Sequence, residues 1–166
     1  MKRNLLIILI SIFSFACTDE LYEFPSVEGQ WVLTEYNVAD GFDINKDGEV
    51  NVNLLKEIDC FNDEILTFDS NGTVSSVSTF NPSIHVSLVE TGSNDMVFDV
   101  KCDDEGSIGL ATSFTQNGEI VTYNNQTASL INGELFVVFK DAFKIYDIND
   151  IQVLETHDII MVYSKQ

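Results

Sequence analysis

Turn signals recur at short, nearly even intervals from residue 71 onward: Asn71-Gly72, Asn81-Pro82-Ser83, Gly92-Ser93-Asn94-Asp95, Asp103-Asp104-Glu105-Gly106, Asn117-Gly118, Asn124-Asn125 and Asn132-Gly133. No long helix survives such punctuation. An Asn-Gly pair between strand-like residues suits a two-residue type I′ hairpin, because both residues tolerate positive φ. The intervening segments are rich in Val, Ile, Thr, Phe and Tyr and predict strands over 30–38, 64–69, 73–80, 84–90, 96–102, 107–115, 119–123, 127–131, 134–140, 143–147, 151–155 and 159–163. A meander of hairpins removes its two free edges by closing on itself. The expected fold is therefore all-β: an up-and-down antiparallel β-barrel, or a half-open sandwich, of about eight to ten strands with one short helix.

The faces of these strands differ in character. Met96, Phe98, Val100 and Cys102 alternate with Asp99 and Lys101, which predicts one buried and one wet face. Leu135-Phe136-Val137-Val138-Phe139 and Ile159-Ile160-Met161-Val162-Tyr163 are apolar on both faces. Such segments are either central strands covered on both sides or strands whose second face lines a cavity. The short helix is expected at Leu54, Leu55 and Ile58, which can share one side of a turn or two.

The N-terminus carries a different signal. Lys2 and Arg3 precede an apolar run over 5–15, too short to span a bilayer permanently. Residues 1–16 are read as a removable export signal. Ala16 directly before Cys17 resembles the lipobox of bacterial lipoproteins, although Phe15 departs from that box. The resemblance implies that Cys17 is acylated and that the protein is anchored to the outer membrane, on its periplasmic face or at the cell surface. Several acyl chains on one residue make that attachment stable. The alternative is an ordinary signal cut near Ala16, with Cys17 a spare thiol. Residues 17–27 then form the lipidated cysteine and a tether, and 28–166 a single domain.

Loss of Lys2 and Arg3 takes the formal net charge from −19 to −21. Nucleic acid is excluded as a partner, since phosphate binding needs clustered Lys and Arg. An anionic membrane surface repels so acidic a body, which stands off the bilayer on its tether. Cys60 and Cys102 remain once Cys17 is acylated, and in an oxidising compartment they are expected to join. Closing so long a loop is worth about 4 kcal/mol in the chain-entropy model. Two separate buried thiols are the alternative, and the spacing does not suit zinc.

Gly29-Gln30-Trp31, followed by Val32-Leu33, resembles the Gly-x-Trp signature that opens lipocalins and bacterial lipocalin-like lipoproteins. The second-strand hairpin over 66–73, the Ile131-Asn132-Gly133-Glu134-Leu135 turn and the closing 159–165 strand resemble the corresponding parts more loosely. The resemblance implies a lipocalin-like barrel with Trp31 as a structural plug of its closed end. It also implies a non-catalytic binding module for a small apolar or amphipathic molecule, held by side chains such as Phe98, Phe114, Tyr123, Phe136 and Phe139. A filled core would use the same residues. The alternative is an envelope inhibitor or surface accessory protein that binds another envelope protein through its loops, without an internal ligand.

Asp43-Ile44-Asn45-Lys46-Asp47-Gly48-Glu49 matches the first half of a calcium loop. In that pattern oxygens at positions 1, 3 and 5 converge on the ion, glycine at 6 makes the bend and position 7 gives its carbonyl. Asp43, Asn45, Asp47 and Glu49 are the expected ligands of a structural Ca2+. Position 12 is Leu54 instead of a bidentate carboxylate, so Glu57 is the expected completing ligand. Catalytic patterns are poor: His85 and His157 lie far apart, and no Gly-x-Ser-x-Gly elbow occurs. His85 is expected on a solvent-facing strand and His157 in a turn before Asp158. No enzyme activity is expected. A glycan or lipid hydrolase would require two carboxylates, or a histidine and a carboxylate, converging in a cleft.

Overall fold

The computed structural model describes residues 24–102 and 109–166. The export signal, Cys17, most of the tether and the turn at 103–106 lie outside the described residues. The strands are β1 (Gly29–Phe42), β2 (Asn51–Asn53), β3 (Ile65–Phe68), β4 (Thr73–Ser76), β5 (Ser83–Leu88), β6 (Met96–Lys101), β7 (Leu110–Asn117), β8 (Ile120–Tyr123), β9 (Gln126–Ile131), β10 (Glu134–Tyr146) and β11 (Val153–Lys165). Strands β1, β3, β4, β7, β8, β9, β10 and β11 follow one another as antiparallel neighbours, and β11 pairs with both β10 and β1. The result is the expected up-and-down antiparallel barrel, closed with eight strands.

One hairpin leaves the meander. Between β4 and β7 the chain forms β5 and β6, which pair with each other, and β5 runs parallel to the far end of β10 at Ile145 and Tyr146. Four predicted segments merge into two long strands. Segments 134–140 and 143–147 become β10, and 151–155 and 159–163 become β11. Polar Lys140 and Asp141 mimic a turn, but Asp141 (φ 52) forms a bulge, at which β10 advances from Phe139 to Phe143 while β11 moves only from Ile159 to His157. The bulge is held by Asp158, which accepts the Asp141 N–H at 3.1 Å, and by Thr156, which donates to Asp141 at 2.7 Å. His157 therefore lies within a strand, not in the expected turn.

The turns refine the hairpin argument. Asn132 and Gly133 both have positive φ, as do Asn124 and Asn125, and each pair closes a two-residue loop of the type I′ kind. At Asn117-Gly118 the pairing of Asn117 with Ile120 makes Gly118 the first central residue (φ 62), the type II′ arrangement. The expected helix is a single 3₁₀ turn at Leu54–Lys56, capped by Asn53, whose side chain accepts from the Leu55 N–H. Its Leu54 and the following Ile58 are buried as expected.

A bulge in β1 decides which residues face inward. Leu33 stands opposite Tyr163 and Glu35 opposite Val162, so β1 carries one extra residue there. Trp31 and Leu33 point into the core before the bulge, Tyr36 and Val38 after it. Plain alternation would have turned Glu35 inward. Trp31, near the start of β1, is 1% exposed, its indole N–H donates to the Val27 carbonyl at 2.6 Å, and Lys165 lies over its ring. Residues 25–27, assigned to the tether by sequence, are packed on the barrel instead. The Gln116 amide donates to the Pro25 carbonyl at 2.8 Å and accepts from the Val27 N–H at 2.9 Å, and Val27 is fully buried.

The Cys60–Cys102 disulfide forms, with Cα atoms 5.3 Å apart. It joins the segment after the 3₁₀ turn to the end of β6, the one strand at the free edge of the described sheet path. Replacing both cysteines by serine is expected to lower unfolding stability by about 2–4 kcal/mol in urea titrations. Amide exchange in β5 and β6 should accelerate more than in β10 and β11, because the hairpin loses its covalent tie while the barrel retains its ladders.

Candidate functional site

The inward side chains do not fill the barrel. A cavity of about 430 Å3 lies between the barrel wall and the segment linking β4 to β5, within the usual size range of small-molecule sites. Most of its wall is apolar: Leu66 from β3, Leu110 from β7, Phe139 and Phe143 from β10, Ile159 and Met161 from β11, with Phe80 and Ile84 from the crossing segment and β5. Asn81 and Asn124, both exposed, mark the side open to solvent. Tyr36, Ser76, Thr79 and Gln126 add polar groups around the lining, and one polar pair is buried within it, where the Tyr163 hydroxyl meets Glu64 with Tyr123 nearby.

Glu64 precedes β3 and is only 4% exposed. One carboxylate oxygen accepts from the Phe80 N–H at 2.7 Å, and the other from the Tyr163 hydroxyl at 2.8 Å. The first of these bonds fastens the crossing segment to the barrel. Burial raises the Glu64 pKa, the two hydrogen bonds oppose that rise, and the nearby charge of Asp63 adds to it; desolvation is the largest of these and wins. Burial pushes the Tyr36 phenol up to about 12 and, together with the Glu64 charge, raises those of Tyr123 and Tyr163. All three remain neutral hydrogen-bonding groups. Among the described residues lining the cavity, Glu64 is the only charged one, and no Lys, Arg or His accompanies it.

The aromatic residues anticipated as ligand contacts divide. Tyr123 and Phe139 line the cavity. Phe114 instead packs edge-on against Phe68, with ring centroids 5.1 Å apart, and Phe98 packs against Phe42 at 6.0 Å. Phe136 has the opposite parity to inward Leu135 and Val137, so it faces out of the barrel. The outer face of this stretch is neither covered nor cavity-lining, for Val138 is 38% exposed. Of the cavity's polar residues, Glu64 carried a legible signal. It is in phase with Leu66 and Phe68, the buried face of its own strand, and a charged residue on an apolar stripe is the informative exception. Tyr36 was not legible, because the β1 bulge reverses its facing.

The loop after β1 has the shape its sequence suggests. Asp43 accepts from the Gly48 N–H at 3.1 Å, Asn45 from the Asp47 N–H at 2.9 Å and Asp47 from the Glu49 N–H at 2.8 Å, with Gly48 at φ 92. The second carboxylate oxygen of Asp43 is buried and has no hydrogen-bond partner among the described residues. An unpaired buried oxygen is destabilising, and an all-oxygen donor set suits a hard cation such as Ca2+. Of the loop's side-chain oxygens, that of Asp43 is the buried one left for such an ion among the described residues. Glu57, expected to complete the shell, is 3% exposed and accepts from the backbone N–H groups of Ile44 at 2.9 Å and Asn45 at 3.4 Å and from the Asn51 side chain. It holds the loop by its backbone.

Histidines lie elsewhere. His85 pairs with Asp150 at 3.0 Å on the surface and stacks on Tyr146. His157 sits beside Phe42 and Phe143, with Nδ1 3.4 Å from Asp40 and Nε2 3.1 Å from Glu155. These three side chains form a possible ligand cluster for a metal, but each ring nitrogen already faces a different carboxylate.

The raised pKa of Glu64 has a definite consequence for stability. The folded state binds the Glu64 proton more tightly than the unfolded chain, so this contribution is fully present below the ordinary value of 4.5 and is lost as pH rises through the higher folded value. Glu64→Gln keeps the shape and hydrogen bonding but cannot ionise. The difference in urea midpoint between the variant and the wild type should move in the variant's favour as pH rises from about 4.5 to 8; a constant difference would show that Glu64 titrates normally.

No family model, no curated protein and no solved structure matches the chain.

Proposed function

We propose that the protein is a cell-envelope lipoprotein whose barrel is a non-catalytic binding module for a small apolar or amphipathic molecule. The observation that carries this reading is the 430 Å3 cavity, walled by apolar side chains from several strands and holding the buried Glu64–Tyr163 pair. A few fixed polar groups in an apolar concavity orient a ligand, whereas a structural core of this size would be filled. Among the described residues the cavity lining holds one carboxylate, where catalysis of the glycosidase kind uses two. The export signal, Cys17 and the disulfide together support an address outside the cytoplasm. In the same reading the loop of Asp43, Asn45, Asp47 and Glu49 holds one structural Ca2+, and Glu57 orders its backbone.

A second reading, an accessory protein or inhibitor that binds another envelope protein, is favoured by one observation. Ile148 and Ile151, in the turn joining β10 to β11, and Val153 and Leu154 just beyond it are all exposed, Ile151 by 83%. Capture of a protein by the wild type but not by Ile151→Asp would favour that reading.

Two measurements test the first. An apolar fluorophore should brighten on binding to the wild type, and Leu110→Trp, which enlarges a half-buried side chain of the cavity lining, should weaken that binding about ten-fold or more. Equal binding by both proteins would place the fluorophore outside the barrel. Millimolar Ca2+ should raise the melting temperature of the wild type by a few degrees and leave Asp43→Ala unaffected. An unchanged wild-type melting curve in Ca2+ and in excess chelator would remove the ion from the description.

A further inference from the structure

A buried carboxylate in an apolar cavity needs a reason. Glu64 secures the Phe80 N–H and the Tyr163 hydroxyl, but a glutamine could accept the same N–H and meet the same phenol without the cost of dehydrating a charge. What glutamate adds is negative charge, and the described cavity lining offers nothing positive to meet it. Each carboxylate oxygen has a further lone pair beyond the bond already made. An anionic ligand would meet like charge there, and a neutral one would gain nothing from the ionised form. A cation gains on both counts, since attraction in a poorly solvated site is far stronger than in water.

We propose that the cavity takes an organic ammonium: a protonated amine on an apolar body, its head against Glu64 and the phenols of Tyr123 and Tyr163, its body along Leu66, Phe139 and Met161. The inference rests on the cavity-binding reading and adds the chemical class of the ligand. The net charge of −19 raises the local concentration of cations around the molecule. The volume sets the size. At about 30 Å3 per water, 430 Å3 holds the equivalent of about fourteen waters, which corresponds to a body of about a dozen heavy atoms.

Decylammonium, decanol and decanoate share one chain and differ only in the head, so their affinities for the purified protein isolate the head-group effect. Titration at 1 M salt, where the screening length is about 3 Å, suppresses attraction by exposed carboxylates but not by a buried one. Decylammonium is expected to bind about ten-fold or more tightly than decanol, and decanoate most weakly. Glu64→Gln should bring decylammonium to the level of decanol while leaving decanol unchanged. The wild-type ranking stands as a test even if that variant fails to fold. Decanol equal to decylammonium, with both weakened by Leu110→Trp, would overturn the amine inference and keep the cavity. No binding of any of the three would overturn both.

Discussion

Closure of the ribbon through β11 is the constraint on which the remaining structure depends. This strand is hydrogen-bonded along one side to β10 and along the other to β1, so the last strand of the chain seals the first. An open meander would expose two rows of unpaired backbone groups and half of its apolar face. Once the circle is closed, every inward position points at a shared interior. The content of that interior is then a matter of how eight strands are phased against one another.

Two bulges set the phase. Without the extra residue in β1, Tyr36 would face solvent and Glu35 would be driven into the core. At the β10 bulge the inward parity survives, so Phe139, Phe143 and Ile145 remain on one face although the strand has been bent. Bending β10 also carries its far end beyond the barrel, where it meets β5. The β5–β6 hairpin therefore has a place to dock, and the segment leading into it can lie across the barrel as part of the cavity wall. It is attached there by the Glu64 bond to the Phe80 N–H, by Ser78 donating to Asp63 and by Phe80 packing edge-on against Tyr36, with the disulfide securing the far end of β6.

Glu64 thus belongs both to the fold and to the proposed site. It tethers the crossing segment, lines the cavity and, among the described residues, supplies the only charge of its lining. Desolvation works against that charge, while two hydrogen bonds hold it, and desolvation is the larger effect. Glu57 plays a similar part for the loop after β1, satisfying backbone N–H groups from within while Asp43 retains an unpaired oxygen.

Much of this was legible in the chain because it depends on neighbours in sequence. Turn residues, the strand-forming segments between them, the 3₁₀ turn at Leu54–Lys56 and the bend at Gly48 are local matters of φ, hydrogen bonding and alternation. The pairing of Cys60 with Cys102 followed from there being no other partner once Cys17 is set aside. Other features depend on which strand lies beside which. Only the tertiary structure could decide that two pairs of segments fuse across the Asp141 bulge, that one hairpin leaves the barrel, and that Phe98, Phe114 and Phe136 pack elsewhere while Tyr123 and Phe139 border a cavity. Alternation states that a strand has two faces; a single extra residue exchanges them, and only the register with a partner distant in sequence reveals that it has done so.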